Sequence, residues 1–215
     1  MKVNAIITAG GTSSRFGNKN KLLEQINGCE VIKYTLDAFR YSNIDEIIIC
    51  ANLSIMDELK ELFKDYEKVR IIEGGQTRQQ SVYNGLKADR CDYVLIHDGA
   101  RPVITTELIN ICIEMVKENK ALSVMTKTID TIKEVEHGKI VKTIDRAKLY
   151  NTQTPQAFEY DLILSAHQKY AGRNFTDDAG MVEAMGADVY VIDGSYKNIK
   201  ITTQSDIELA KIYLG

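Results

Sequence analysis

The chain has 215 residues, 44% of them hydrophobic and 27% charged, with a formal net charge of −3 at pH 7. That is enough chain to bury a sizeable core in one compact unit. A slightly acidic balance argues against a broad nucleic-acid surface, which shows as a basic excess, and no apolar run approaches the ~18 residues of a membrane span. Any phosphate site must therefore be a local cluster of cations. Cys29, Cys50, Cys91 and Cys112 show no C-x-x-C spacing and mostly sit in apolar runs, so they read as reduced, buried thiols. With no signal-peptide profile at the first residues, the expected location is the cytoplasm.

The first strand, Val3 to Ala9, runs straight into Gly10-Gly11-Thr12-Ser13-Ser14-Arg15 and, six positions after Arg15, Lys21. Glycines let backbone N–H groups approach a bulky anion. Arg15 adds a planar fork of donors and Lys21 a mobile charge, which together could cradle a triphosphate. The bland alternative is a strand-to-helix turn with surface cations. The loop is neither G-x-x-x-x-G-K-[ST] nor G-x-G-x-x-G. It resembles the A-[AG]-G-x-x-x-R-[MF] signature of sugar-nucleotide-type nucleotidyltransferases.

Helical spacing follows over Glu30–Tyr41, then a buried strand over Ile44–Ala51 and a helix over Ser54–Phe63 with Ser54 as its cap. Strand Val69–Ile72 ends in Gly74-Gly75, and Arg78–Ala88 is helical. Strand Tyr93–His97 is apolar on both faces. A helix over Thr105–Glu118 and a strand over Ala121–Thr128 complete the alternation. This pattern predicts an α/β, Rossmann-like, mostly parallel sheet covered by helices on both faces. From Thr131 to Ile144 apolar and polar residues alternate around His137-Gly138, a β-hairpin with two solvated sides. It either extends an edge of the same sheet or protrudes as an arm against a partner, because a lone ribbon is marginal in water. Asn151–Gln156 reads as a loop. Helices near Asp161–Tyr170 and Asp177–Met185, a strand at Val189–Ile192, a loop strand at Asn198–Ile201 and a helix at Ser205–Leu214 follow. Residues 1–215 thus form a single domain, with the arm at about 130–150.

Ligands of open α/β sheets bind beyond the carboxyl ends of the strands, and two further strand ends carry unusual residues. After Gly74-Gly75, the exposed N–H groups of a helix start and the Ser81 hydroxyl could bond a base edge or an anion; otherwise the glycines are a turn. After Tyr-Val-Leu-Ile come His97-Asp98-Gly99-Ala100-Arg101-Pro102. Asp98 could orient a ribose or a metal and Arg101 grip a phosphate, or the two could be a structural ion pair. His97 is expected to be packed and singly hydrogen-bonded, without a catalytic role. Asp177-Asp178 reads as a helix cap followed by an acid in the first turn. No residue set reads as a metal site.

Taken together, Ala9-Gly10-Gly11…Arg15, Gly74-Gly75…Arg78…Ser81-Val82, His97 to Pro102, Asp130-Thr131, Thr143 to Arg146, Gln153 to Gln156, Thr176 to Ala179 and Asn198 to Thr203 resemble the 2-C-methyl-D-erythritol 4-phosphate cytidylyltransferase family over nearly the whole chain. The resemblance implies transfer of CMP from CTP to methylerythritol phosphate with Mg²⁺ held through the CTP phosphates, releasing pyrophosphate, in isoprenoid synthesis. It implies that Arg15, Lys21 and Lys200 hold the triphosphate and act catalytically. Ala9, Gly10, Gly11, Gly75 and Ser81 would bind the nucleotide and read cytosine, with Asp98 and Gly99 facing the ribose. Arg101, with Thr131 and Arg146 on a partner's arm, would bind the acceptor in a homodimer. Asn20-Lys21-Leu22 departs from the family's Pro-Lys-Gln, leaving Lys19 and Lys21 as alternatives for the contact. Ala-Gly-Gly also occurs in related ribitol-5-phosphate cytidylyltransferases, so a different polyol phosphate is the alternative acceptor. A non-catalytic nucleotide-binding regulator is the rival from another class.

Overall fold

A computed structural model describes residues 1–11 and 20–215. Strand β1 (Val3–Ala9) is buried on both sides, with Ala5, Ile7 and Ala9 facing one apolar layer and Ile6 the other. A short ribbon of β2 (Gln25–Ile26) and β3 (Cys29–Glu30) turns through Asn27 and Gly28, both at positive φ. Asn-Gly suits that turn because both residues tolerate left-handed backbone. Helix α1 (Val31–Arg40) follows, burying Val31, Ile32, Leu36 and Phe39 on one stripe. The alternation continues through β4 (Glu46–Ala51), α2 (Met56–Leu62), β5 (Val69–Glu73) and α3 (Arg78–Ala88). Strand β6 (Tyr93–Asp98), helix α4 (Thr106–Asn119) and strand β7 (Ala121–Lys127) extend it. Ser54 is not the cap ahead of α2: its N–H donates to Asn52 Oδ1 at 2.9 Å, and a 3₁₀ turn over Leu53–Ile55 precedes the helix.

Strands β8 (Lys133–Glu136) and β9 (Lys139–Thr143) are the predicted hairpin, turning at His137 and Gly138 with positive φ at both. They pair with each other in a separate two-stranded sheet, so the hairpin is an arm and not an edge extension. Then comes the largest departure. Asn151–Gln156 is not a loop but part of β10 (Tyr150–Glu159), which runs antiparallel between β6 and β7. Asn151 and Pro155 are residue types depleted in strands, and Pro155 cannot donate to a ladder. The register shift between Thr152 and Gln156 takes up that position. Helices α5 (Tyr160–Lys169) and α6 (Asp178–Ala184), strand β11 (Tyr190–Asp193) and helix α7 (Gln204–Leu214) complete the chain. The expected strand at Asn198–Ile201 is irregular, because its backbone bonds to a loop: Ile201 N–H donates to Ala100 O at 2.8 Å.

The main sheet runs β11-β7-β10-β6-β1-β4-β5, parallel except for β10. Helices α1, α2, α4 and α7 cover one face, and α3, α5 and α6 the other. Phe39 anchors the first layer and Phe158 the second, both fully buried; truncating either to alanine should cost about 3–5 kcal/mol. Because β1, β4, β5 and β6 are parallel, their C-terminal ends share one edge, and the loops that leave them converge there.

Candidate nucleotide site

That convergence makes a cleft of about 300 Å³. Thr8, Ala9, Gly10 and Gly11 form one wall, Gln76, Thr77, Arg78 and Ser81 another, and Asp98 and Ala100 the floor, with Lys21 and Lys200 at the sides. The parallel register sets Thr8 beside Asp98. Gly75 must lack a side chain, because a Cβ there would lie 2.1 Å from the Gln80 side chain and 2.8 Å from its backbone. Thr77 starts α3 by accepting the Gln80 N–H at 3.1 Å.

Asp98 is the electrostatic centre. Its carboxylate meets Lys200 Nζ at 2.7 Å, Arg78 Nε at 3.1 Å and Arg101 Nε at 3.8 Å, and Thr8 Oγ1 lies 3.3 Å away. Burial by itself would raise this carboxyl group, but Arg78, Lys200 and Arg101 override it and hold the group ionised, far below the usual carboxylate range. Arg78 also donates from Nη1 to Asp178 Oδ2 at 2.6 Å. Burial opposes the Arg78 charge, and the two carboxylates more than restore it, so its pKa is raised. Asp178 is completely buried, lowered despite that burial by Arg78 and His167, and pairs with His167 Nε2 at 3.1 Å. The sequence places Asp178 in a first helical turn beside the cap Asp177, which holds, since Asp177 accepts the Gly180 N–H at 3.1 Å. What spacing did not reveal is that Asp178 points inward as an ion-pair partner. Arg78 and His167 were missed for the same reason, their shared partner lying far along the chain.

Lys200 is held by its neighbours. Arg101 Nη1 donates to Asn198 O at 2.8 Å, and Asn198 Nδ2 donates to Thr154 O at 3.0 Å. Arg101 is buried, is not one of the residues lining the cleft, and pairs with Asp98 only at long range. Ser81 Oγ accepts the Gly75 N–H at 2.9 Å and donates to Thr77 O at 3.0 Å, so it braces the glycine loop as well as lining the cleft. Gly99 follows Asp98, with its N–H on Thr8 O at 3.1 Å. His97 is fully buried, tilted against Phe39 at 5.1 Å, and pairs through Nδ1 with Thr154 Oγ1 at 3.0 Å. Burial, with Arg101 and Arg78 nearby, brings its pKa down to about 3 despite Asp98. It is the packed, singly bonded histidine expected. Thr131 and Arg146 are exposed on the arm and do not line this cleft; Arg146 Nη1 donates to Ile129 O. Arg15 and Lys19 lie outside the described residues. Among the described residues, no group of three His, Cys, Asp or Glu side chains could hold a metal ion, and the Asp98 oxygens are already met by cations.

A mostly parallel sheet with a cation-rich, glycine-walled cleft at its strand ends defines an α/β nucleotide-binding protein. The comparisons give the particular family. The family model for IspD, 2-C-methyl-D-erythritol 4-phosphate cytidylyltransferase, matches residues 3–215. The enzyme of that name from Clostridioides difficile (strain 630) is 40% identical, covering 99% of this chain and 93% of its own. That from Dictyoglomus thermophilum is 42% identical over 96% of this chain and 94% of its own. The crystal structure of 4-diphosphocytidyl-2C-methyl-D-erythritol synthase from Anaerococcus prevotii superposes with a TM-score of 0.89 at 36% identity, covering 99% of this chain and 96% of that one. The chain belongs to the IspD family of cytidylyltransferases. The matches favour methylerythritol phosphate over the ribitol alternative and an enzyme over a regulator.

Proposed function

We propose that the protein transfers CMP from CTP to 2-C-methyl-D-erythritol 4-phosphate. An oxygen of the acceptor's phosphate attacks the α-phosphorus in line, and the bond to the oxygen bridging to the β-phosphorus breaks, releasing pyrophosphate. Both reactants are anions, so the protein's task is positioning and positive charge, and no base is needed to activate a phosphate. The observation that carries this reading is the set of cations around one ionised aspartate at the glycine-walled cleft: Arg78, Arg101 and Lys200 on Asp98, with Lys21 lining the same cleft.

In this reading Lys21, Lys200 and Arg15 meet the triphosphate. The backbone of Ala9, Gly10, Gly11 and Gly75, with the Ser81-braced loop, faces the base, and Asp98 and Gly99 face the ribose. Mg²⁺ enters with CTP as part of the substrate, held by its phosphates, since the protein's nearest carboxylate already has cationic partners. Arg101 and, from the arm of a second copy, Thr131 and Arg146 receive the acceptor. The arm supports a homodimer, because it is apolar as well as charged and is exposed along both of its strands. Among the described residues no helix is long and apolar enough to cross a membrane; we assign the enzyme to the cytoplasm on its unpaired cysteines.

The test is pyrophosphate release from MgCTP with methylerythritol phosphate or with ribitol 5-phosphate as acceptor. Turnover confined to methylerythritol phosphate supports the assignment. Turnover with ribitol 5-phosphate alone, or with neither, overturns it.

A further inference from the structure

Lys200 has a neighbour problem. Its ammonium sits 2.7 Å from the Asp98 carboxylate, and a fully ionised partner that close would neutralise a charge meant for a polyanion. The structure supplies a competitor for Asp98. Arg78 bonds the other carboxylate oxygen through Nε at 3.1 Å, and its Nη1 is gripped by Asp178 at 2.6 Å. Asp178 is itself fixed. Its backbone N–H donates to Gln156 Oε1 at 3.0 Å, and His167 Nε2 pairs with its second oxygen at 3.1 Å. His167 is stacked on Tyr83, with ring centroids 6.2 Å apart and an interplanar angle of 12°.

We propose that Arg78 and Asp178 are positioning residues for cytidylyl transfer, acting through Asp98 to keep the charge of Lys200 available to the substrate. Among the described residues two carboxylates here face three permanent cations, Arg78, Arg101 and Lys200, which leaves one positive charge over. Without Arg78 the surplus vanishes and Lys200 is drawn fully onto Asp98. Without the Asp178 clamp, Arg78 loses the contact that fixes its guanidinium and can leave Asp98. Neither residue needs to touch the reacting atoms. The proposal rests on the reading that Lys200 meets the triphosphate.

The experiment is a double-mutant cycle on kcat at saturating MgCTP and acceptor, with each protein confirmed folded by circular dichroism. Asp178→Asn preserves shape and weakens the clamp on Arg78 Nη1; it also removes a negative charge, so a fall in kcat reports lost positioning of Arg78 and not a lost charge surplus. In the wild-type background it should lower kcat about 10-fold, and in a Lys200→Ala background less than about 2-fold, because the group it acts through is gone. Arg78→Lys should retain more activity than Arg78→Gln, since a cation between the two carboxylates is kept. If Asp178→Asn does not fold, Arg78→Gln carries the same cycle. Equal losses in both backgrounds mean a merely structural role and overturn the proposal while leaving the reading of Lys200 intact. A Lys200→Ala enzyme with normal kcat overturns both.

Discussion

The cleft and the arm both carry residues assigned to one reaction, yet they are built in opposite ways. Around the cleft Asp98, Arg101 and Asp178 are buried, and each charge has a counter-charge in the same chain. On the arm every residue of β8 and β9 is exposed. Apolar Ile129, Val135, Ile140 and Val141 are each more than half exposed there, at 62%, 55%, 66% and 56%. A buried charge without a partner is too costly to persist, so the cleft had to be completed within the chain. A solvated ribbon with an apolar side gains its stability from a surface it lies on, and its own chain offers none among the described residues. The contrast separates groups that work where they stand from groups that wait for another molecule.

The sharpest way to break that contrast is at the cleft. Replacing one preorganised donor to developing charge typically costs ~2.7–4 kcal/mol, so Lys200→Ala should lower kcat about 10²–10³-fold while its melting temperature stays close to wild type. A normal kcat at an unchanged melting temperature would remove Lys200 from the site.

The arm is tested by mixing. If it crosses to a second copy, Lys21→Ala and Arg146→Ala homodimers are both nearly inactive, while a mixed dimer holds one intact site. Random exchange makes about half the dimers mixed, so roughly a quarter of wild-type activity should return after joint mild unfolding and refolding. A mixture that stays inactive, when wild-type protein recovers from the same treatment, places the arm in its own subunit's chemistry.

The smallest expected effect concerns the wall behind the cleft. His97 has its pKa brought down to about 3 by burial, against an ordinary value of 6.5. The unfolded chain therefore binds more protons between those values. The stabilising preference for neutral His97 is fully present above about pH 6.5 and is lost as pH falls toward 3, at up to about 1.4 kcal/mol per pH unit. Urea titrations at pH 7, 6 and 5 should show a steeper decline for wild type than for His97→Asn; parallel declines would mean that His97 is not held neutral.

The parts legible in sequence were those whose signal is local. Strands β1 and β6 announce themselves by apolar runs ending in glycine or charge, and α3 begins at the predicted residue because Gly74-Gly75 and Thr77 stand before it. The Asn27-Gly28 turn carried an equally local signal and was overlooked. By contrast β10 was hidden because its buried polar residues answer to distant ones: Gln156 donates to Asp177 Oδ2 at 2.7 Å and to Ser123 Oγ at 3.1 Å. Ser81 was expected to face a base, and its bonds to Gly75 and Thr77 show it bracing the loop that does so in the proposed function. Arg78 and Asp178, which sit on different helices, become a pair only when α3 and α6 pack on one face of the sheet.

The antiparallel strand has a consequence for how the protein is made. Strands β6 and β7 are consecutive in the chain but not adjacent, and the slot between them is filled by residues 150–159, synthesised after both. Until those residues leave the ribosome, β6 presents an open edge flanked by Val94, Leu95 and Ile96, side chains that end up buried. An unpaired apolar edge invites any other strand to dock. A nascent chain paused or truncated before residue 150 is therefore expected to aggregate, whereas one extended past residue 159 can close its own sheet.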